Sequence, residues 1–155
     1  MASILFADVV GRTRESRGWP EEMEAVRDAA GFLLRRGHRI EVMDDPENVE
    51  QRAFAMRPDI LVSDQPPFHL WNPTARPGGE MIPRPFLVHL WQVSSEQGYV
   101  LSSAALLDQV DAFVFRPYIG GLQWEEQRRY RLHLAFQEQL LATVGLLVHR
   151  MERGV

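Results

Sequence analysis

Short continuous apolar runs alternate along this chain with longer segments whose apolar residues recur every three or four positions. Five runs are too short for helices and rich in β-branched and aromatic residues: Ser3-Ile4-Leu5-Phe6-Ala7, Arg39-Ile40-Glu41-Val42-Met43, Ile60-Leu61-Val62-Ser63, Phe86 to Trp91, and Ala112 to Phe115. They read as strands. Pro20 to about Arg36 reads as a helix, with Met23, Val26, Ala30, Leu33 and Leu34 on its apolar face. Pro20 suits a first helical turn, Glu21, Glu22 and Glu24 suit the positive end of the dipole, and Gly37 suits a C-cap. Glu47 to Met56 predicts a short helix. Ser102 to Val110 predicts another, with Leu106, Leu107 and Val110 facing inward. Gln123 to about Arg153 has no internal proline and predicts one long helix of roughly 45 Å at 1.5 Å per residue.

Strands alternating with helices imply a parallel sheet covered on both faces. The expected fold is therefore α/β: a flavodoxin-like, doubly wound, five-stranded parallel sheet in the order 2-1-3-4-5. One segment departs from the alternation. Residues 65–85 hold Pro66, Pro67, Pro73, Pro77, Pro83 and Pro85 with Gly78-Gly79, a density no regular helix tolerates. A long ordered loop is expected where a third helix would stand. It is either a flap over a ligand or an Ω-loop packed down by Phe68, Leu70 and Trp71, and the sequence leaves both open.

Composition narrows the chemistry. With 155 residues, 45% of them hydrophobic, the chain fits one domain with a sizeable core. Residues 1–121 are expected to form the sheet domain, and residues 122–155 a long helix belonging to it. A formal net charge of -4 gives no reason to expect nucleic-acid or membrane affinity. The absence of cysteine removes disulfides, thiol nucleophiles and thiolate metal sites. No lysine is present either, so all 17 basic residues are arginine. A Walker A lysine or a Schiff-base lysine is thereby excluded. Ile4-Leu5-Phe6 is too short for a signal peptide and no apolar run would cross a bilayer, so a cytoplasmic location is expected.

The strand ends carry the candidate site. Asp8 follows the first strand and Asp64 the third, at the point where a 2-1-3-4-5 sheet reverses its order. Ser94 lies just past the fourth strand, and Arg116 closes the fifth. An acid, a hydroxyl and a cation thus end three successive apolar strands.

The segments Asp59-Ile60-Leu61-Val62-Ser63-Asp64, Phe113-Val114-Phe115-Arg116-Pro117-Tyr118 and Ile4-Leu5-Phe6-Ala7-Asp8 resemble the corresponding strands of two-component response-regulator receiver domains. The resemblance spans most of residues 3–120, with an insertion in the first loop. It implies Asp64 as the equivalent of the phosphoacceptor, Ser94 as the switch hydroxyl, and Arg116 in place of the family's lysine. It also implies Mg²⁺ held by Asp8 and Asp64, but only if phosphotransfer is retained; otherwise no cofactor is expected.

Three departures point to a degenerate, pseudo-receiver form. Val9 stands where the family has a second acid, which weakens a Mg²⁺ site, although Asp44 or Asp45 would compensate if near. Arg116 keeps the charge, but its planar fork does not substitute freely for a lysine. Gln65-Pro66-Pro67 replaces the turn that follows the family's nucleophile. The implied function is a signalling or protein-interaction module with phosphotransfer to Asp64 weakened or lost, and an Asp64–Arg116 pair plugging the crevice. The implied partners are other proteins of a signalling pathway. The alternative is a flavodoxin-like small-molecule or phosphate-ligand binding protein, or an enzyme, using the crevice at Asp8, Asp64 and Arg116.

Other candidates are weaker. Arg12, Arg14 and Arg17 precede a helix N-terminus and would suit an anion, or would form a solvated basic loop. The five histidines lack metal-ligand spacing, and His89, inside a buried strand, reads as a core histidine. In the last helix, Tyr130, Leu134, Leu141, Val144, Val148 and Met151 follow a three-four spacing, interrupted by Gln137 and widened by Phe136, Leu140 and Leu147. A helix this long should overhang the domain and pair with a second copy to form a homodimer. The competing expectation is that its first half packs on the sheet and its second half frays or bends back.

Overall fold

The computed structural model describes residues 1–7, 20–43, 49–63, 85–92, 110–116 and 126–154. Five strands, β1 (Ser3–Ala7), β2 (Arg39–Met43), β3 (Ile60–Ser63), β4 (Phe86–Gln92) and β5 (Ala112–Arg116), form one sheet in the order β2-β1-β3-β4-β5. Every pairing is parallel. This is the flavodoxin-like order expected from the sequence. Three helices are described: α1 (Pro20–Arg35), α2 (Val49–Met56) and α3 (Glu126–Glu152). The helix expected over residues 102–110 and the proline-rich loop lie outside the described residues, apart from Pro85 and Val110.

The topology dictates where the helices go. Through α1 the chain steps from β1 outward to β2, and through α2 it returns past β1 to β3. Right-handed crossovers taken in opposite directions put their helices on opposite faces. The core divides accordingly. Ile4, Phe6, Ile60, Val62, Val88, Leu90 and Val114 pack with Val26, Ala29, Ala30 and Leu33 of α1 and with α3. The intervening Leu5, Ala7, Leu61 and Leu87 pack with Ala53 and Met56 of α2. Strand side chains alternate between faces, so one apolar run fills both layers.

Local chemistry fixes the ends. At the close of α1, the His38 N–H donates to the Leu33 carbonyl and the Gly37 N–H to that of Leu34, with Gly37 at φ 93°. This is a Schellman cap on the glycine expected there. Leu34, assigned by spacing to the apolar face, is instead 57% exposed. It sits in the last turn, at the edge of the stripe.

Two aspartates set the amino-terminal edge of the sheet. Asp59, just before β3, accepts the Ser3 N–H on Oδ2 at 2.8 Å, and its own N–H donates to the Ser3 carbonyl at 2.8 Å. Asp111, just before β5, accepts the Leu87 N–H on Oδ2 at 2.7 Å, and its N–H donates to the Leu87 carbonyl at 2.9 Å. Each side chain satisfies a backbone donor at the start of the neighbouring strand.

The long helix packs along its second half. α3 has 27 residues, about 40 Å, against strands of four to seven residues. Its middle and second half pack on the sheet: Phe136, Leu140, Val144, Leu147 and Val148 are buried. Arg150 lies over the Phe86 ring at 5.4 Å, and Glu152 approaches the amino terminus at 3.7 Å. Nearer its start, Tyr130 is 64% and Leu134 36% exposed. The second half thus packs on the sheet and neither frays nor bends back, contrary to the competing expectation. The inward-facing residues that join the core run from Phe136 to Met151.

Candidate functional site

The carboxyl ends of β1 and β3 lie side by side. Ala7 and Ser63 are register partners, and both are buried. They are the residues that directly precede Asp8 and Asp64 in the chain. Asp8, Asp64 and Ser94 themselves lie outside the described residues, as do Arg12, Arg14, Arg17, Asp44, Asp45 and Trp71. Arg116 ends β5, in register with Gln92 of β4. The described backbone therefore brings the β1 and β3 ends together, with β5 two strands beyond β3.

The described part of this end is buried. Ser63 is fully buried between Ala7 and His89, its partners on β1 and β4. The His89 Nδ1–H donates to the Ser63 carbonyl at 3.3 Å, and this contact fixes the proton on Nδ1. The ring lies against Phe113 at a centroid distance of 5.7 Å, tilted by 48°. Burial disfavours the imidazolium and holds His89 below the usual histidine range, while the bond to Ser63 opposes that shift. His89 is thus a core histidine, as its place in the strand suggests. It ties β4 to the last described residue before Asp64.

Three other histidines also make structural contacts or face solvent. His38 Nδ1 accepts the Ala2 N–H at 3.2 Å, which requires an unprotonated Nδ1. His133 Nε2 lies 3.4 Å from Asp28, joining α3 to α1, and His149 is exposed. Among the described residues, no cluster of three or more His, Asp or Glu side chains is arranged to hold a metal. No described helix is long and apolar enough to cross a membrane.

Of the expected dimer stripe, Val144 and Val148 are buried in the core of their own chain, and Leu141 packs against it. Only Tyr130 and Leu134 remain exposed. The three-four spacing was a core signal over most of its length. What sequence reasoning overlooked is the paired aspartates at the opposite edge of the sheet. The signal was present: Asp59-Ile60-Leu61-Val62 and Asp111-Ala112-Phe113-Val114 each place a carboxylate directly before an apolar strand.

No family model and no curated protein matches this chain. The NMR structure of the pseudo-receiver domain of the CikA protein is similar at a TM-score of 0.45 and 16% identity, covering 88% of this chain and 97% of that one.

Proposed function

We propose that this chain is an atypical, receiver-like signalling module that works through protein contacts, with phosphotransfer to Asp64 weakened or lost. The observation that carries this reading is the register pairing of Ala7 with Ser63 at the switch point of a 2-1-3-4-5 sheet. It is joined by what the sequence supplies next to those residues. Asp8 and Asp64 follow them, but Val9 brings no third carboxylate, and Arg116 replaces the lysine of the resembling family.

Phosphotransfer to a carboxylate needs dense positive charge on the transferring oxygens. Two carboxylates hold Mg²⁺ less firmly than three, and a guanidinium is wider than an ammonium. If the site binds Mg²⁺, Asp8 and Asp64 are its ligands. An Asp64–Arg116 ion pair would hold the module in one state. Its partners are then proteins of a signalling pathway in the cytoplasm, and two copies associate through the last helix.

Mass spectrometry of the intact protein after incubation with Mg²⁺ and a small acyl phosphodonor tests the phosphotransfer element. The expected result is no phosphoryl adduct. A stoichiometric adduct lost in Asp64→Asn would restore full receiver chemistry.

A further inference from the structure

The outward face of α3 carries a pattern that its inward packing does not explain. Glu138, Ala142, Gly145 and His149 are all exposed and recur at alternating spacings of four and three, opposite the buried Phe136, Leu140 and Val144. Residues so spaced share one helix face, as the members of a helix–helix contact must. Leu146, one residue beyond Gly145, is 68% exposed.

Gly145 is the most telling member. A Cβ placed there would meet nothing within 4 Å among the described residues, so none of their contacts requires a glycine. Glycine is nevertheless the poorest helix former after proline. Close approach by another backbone gives it a reason to be there.

The charge pattern selects the approaching partner. With a two-fold axis between Thr143 and Val144, an antiparallel second copy sets Ala142 against the partner's Gly145. The same register sets Glu138 against the partner's His149. Each layer occurs twice, small residues at the centre and a carboxylate–imidazole pair at either end. A parallel copy in register would instead face Glu138 with the partner's Glu138. We propose that this face is an antiparallel seam between two copies of the chain. The proposal rests on the reading that the last helix joins two copies. It moves the contact from the buried Val144 and Val148 to Glu138, Ala142, Gly145 and His149.

Sedimentation analysis of the full chain tests it. The wild-type protein is expected to be a dimer at micromolar concentration. Gly145→Leu is expected to weaken the dimer by more than about tenfold through overpacking of the seam. Its circular dichroism should remain that of the folded wild type, because the added side chain enters open space in the monomer. His149→Glu should weaken the dimer by placing two carboxylates together, and adding Glu138→His should restore it. A Gly145→Leu protein that dimerises like wild type, or a charge swap that restores nothing, overturns this seam but leaves association through the last helix standing. A wild-type protein that is monomeric throughout overturns both.

Discussion

Asp59 and the Ser3 backbone are joined in both directions, Ser3 N–H to the Asp59 Oδ2 and Asp59 N–H to the Ser3 carbonyl, each at 2.8 Å. The Ser3 hydroxyl adds a third contact to Oδ2 at 3.2 Å. The pair fixes where β3 begins relative to β1. Because register in a sheet is all-or-none, it also fixes which residues emerge together at the opposite end. Asp59→Ala leaves a half-buried donor without its partner and should cost about 1–3 kcal/mol in urea unfolding. Asp59→Asn keeps an acceptor oxygen and should cost less.

Asp111 repeats this arrangement between β5 and β4. Asp111→Ala should destabilise by a similar amount. Their described partners, Ser3 and Leu87, are different residues, so the double variant should lose the sum of the single losses to within about 0.5 kcal/mol. A large departure from additivity would mean that the two edges of the sheet are coupled.

His89 gives stability a pH dependence of defined sign. Burial holds its folded pKa below the unfolded value of about 6.5. The unfolded chain therefore takes up this proton first as pH falls. The contribution of neutral His89 is fully present above about pH 6.5 and is lost progressively below it, down to the folded pKa. Urea unfolding at a series of pH values should show wild type losing more stability than His89→Gln over that interval. The difference between the two proteins isolates His89 from the other histidines.

The two faces of α3 should respond oppositely to truncation. Leu140 is fully buried among the sheet and α1, and Leu140→Ala should cost about 2–5 kcal/mol. Leu146 is 68% exposed, and Leu146→Ala should change the stability of the isolated monomer by no more than about 0.5 kcal/mol. Thermal or denaturant unfolding of dilute protein checks both.

Gly37 occupies a left-handed position at φ 93°. Gly37→Ala should destabilise by about 1 kcal/mol through backbone strain, since nothing among the described residues lies within 4 Å of the added Cβ. Circular dichroism melts would register the loss without a change in helix content.

The sheet was legible because its strands are short unbroken apolar runs, such as Ile60-Leu61-Val62, which a two-faced parallel sheet requires. The Gly37 cap was legible because glycine's conformational freedom is a local property. The division of α3 was not, because three-four spacing records which residues share a face but not what covers that face. Val144 and Leu134 look alike in such a pattern, yet one is buried and the other exposed. The two aspartate bridges escaped for a related reason. Each joins residues distant in sequence, as with Asp59 and Ser3, and becomes meaningful only once the strand order is fixed. For the candidate site, sequence supplies the side chains at Asp8 and Asp64, and structure supplies the adjacency of Ala7 and Ser63 that precedes them.

Beryllofluoride binding tests the central claim most directly, because this acyl-phosphate mimic requires the aspartate, the metal and the cation to act together. Titration into the full chain with Mg²⁺, followed by fluorine NMR and tryptophan fluorescence, should give no saturable signal that depends on Asp64. A stoichiometric bound species, abolished by Asp64→Asn and by removal of Mg²⁺, would contradict a module with weakened or lost phosphotransfer.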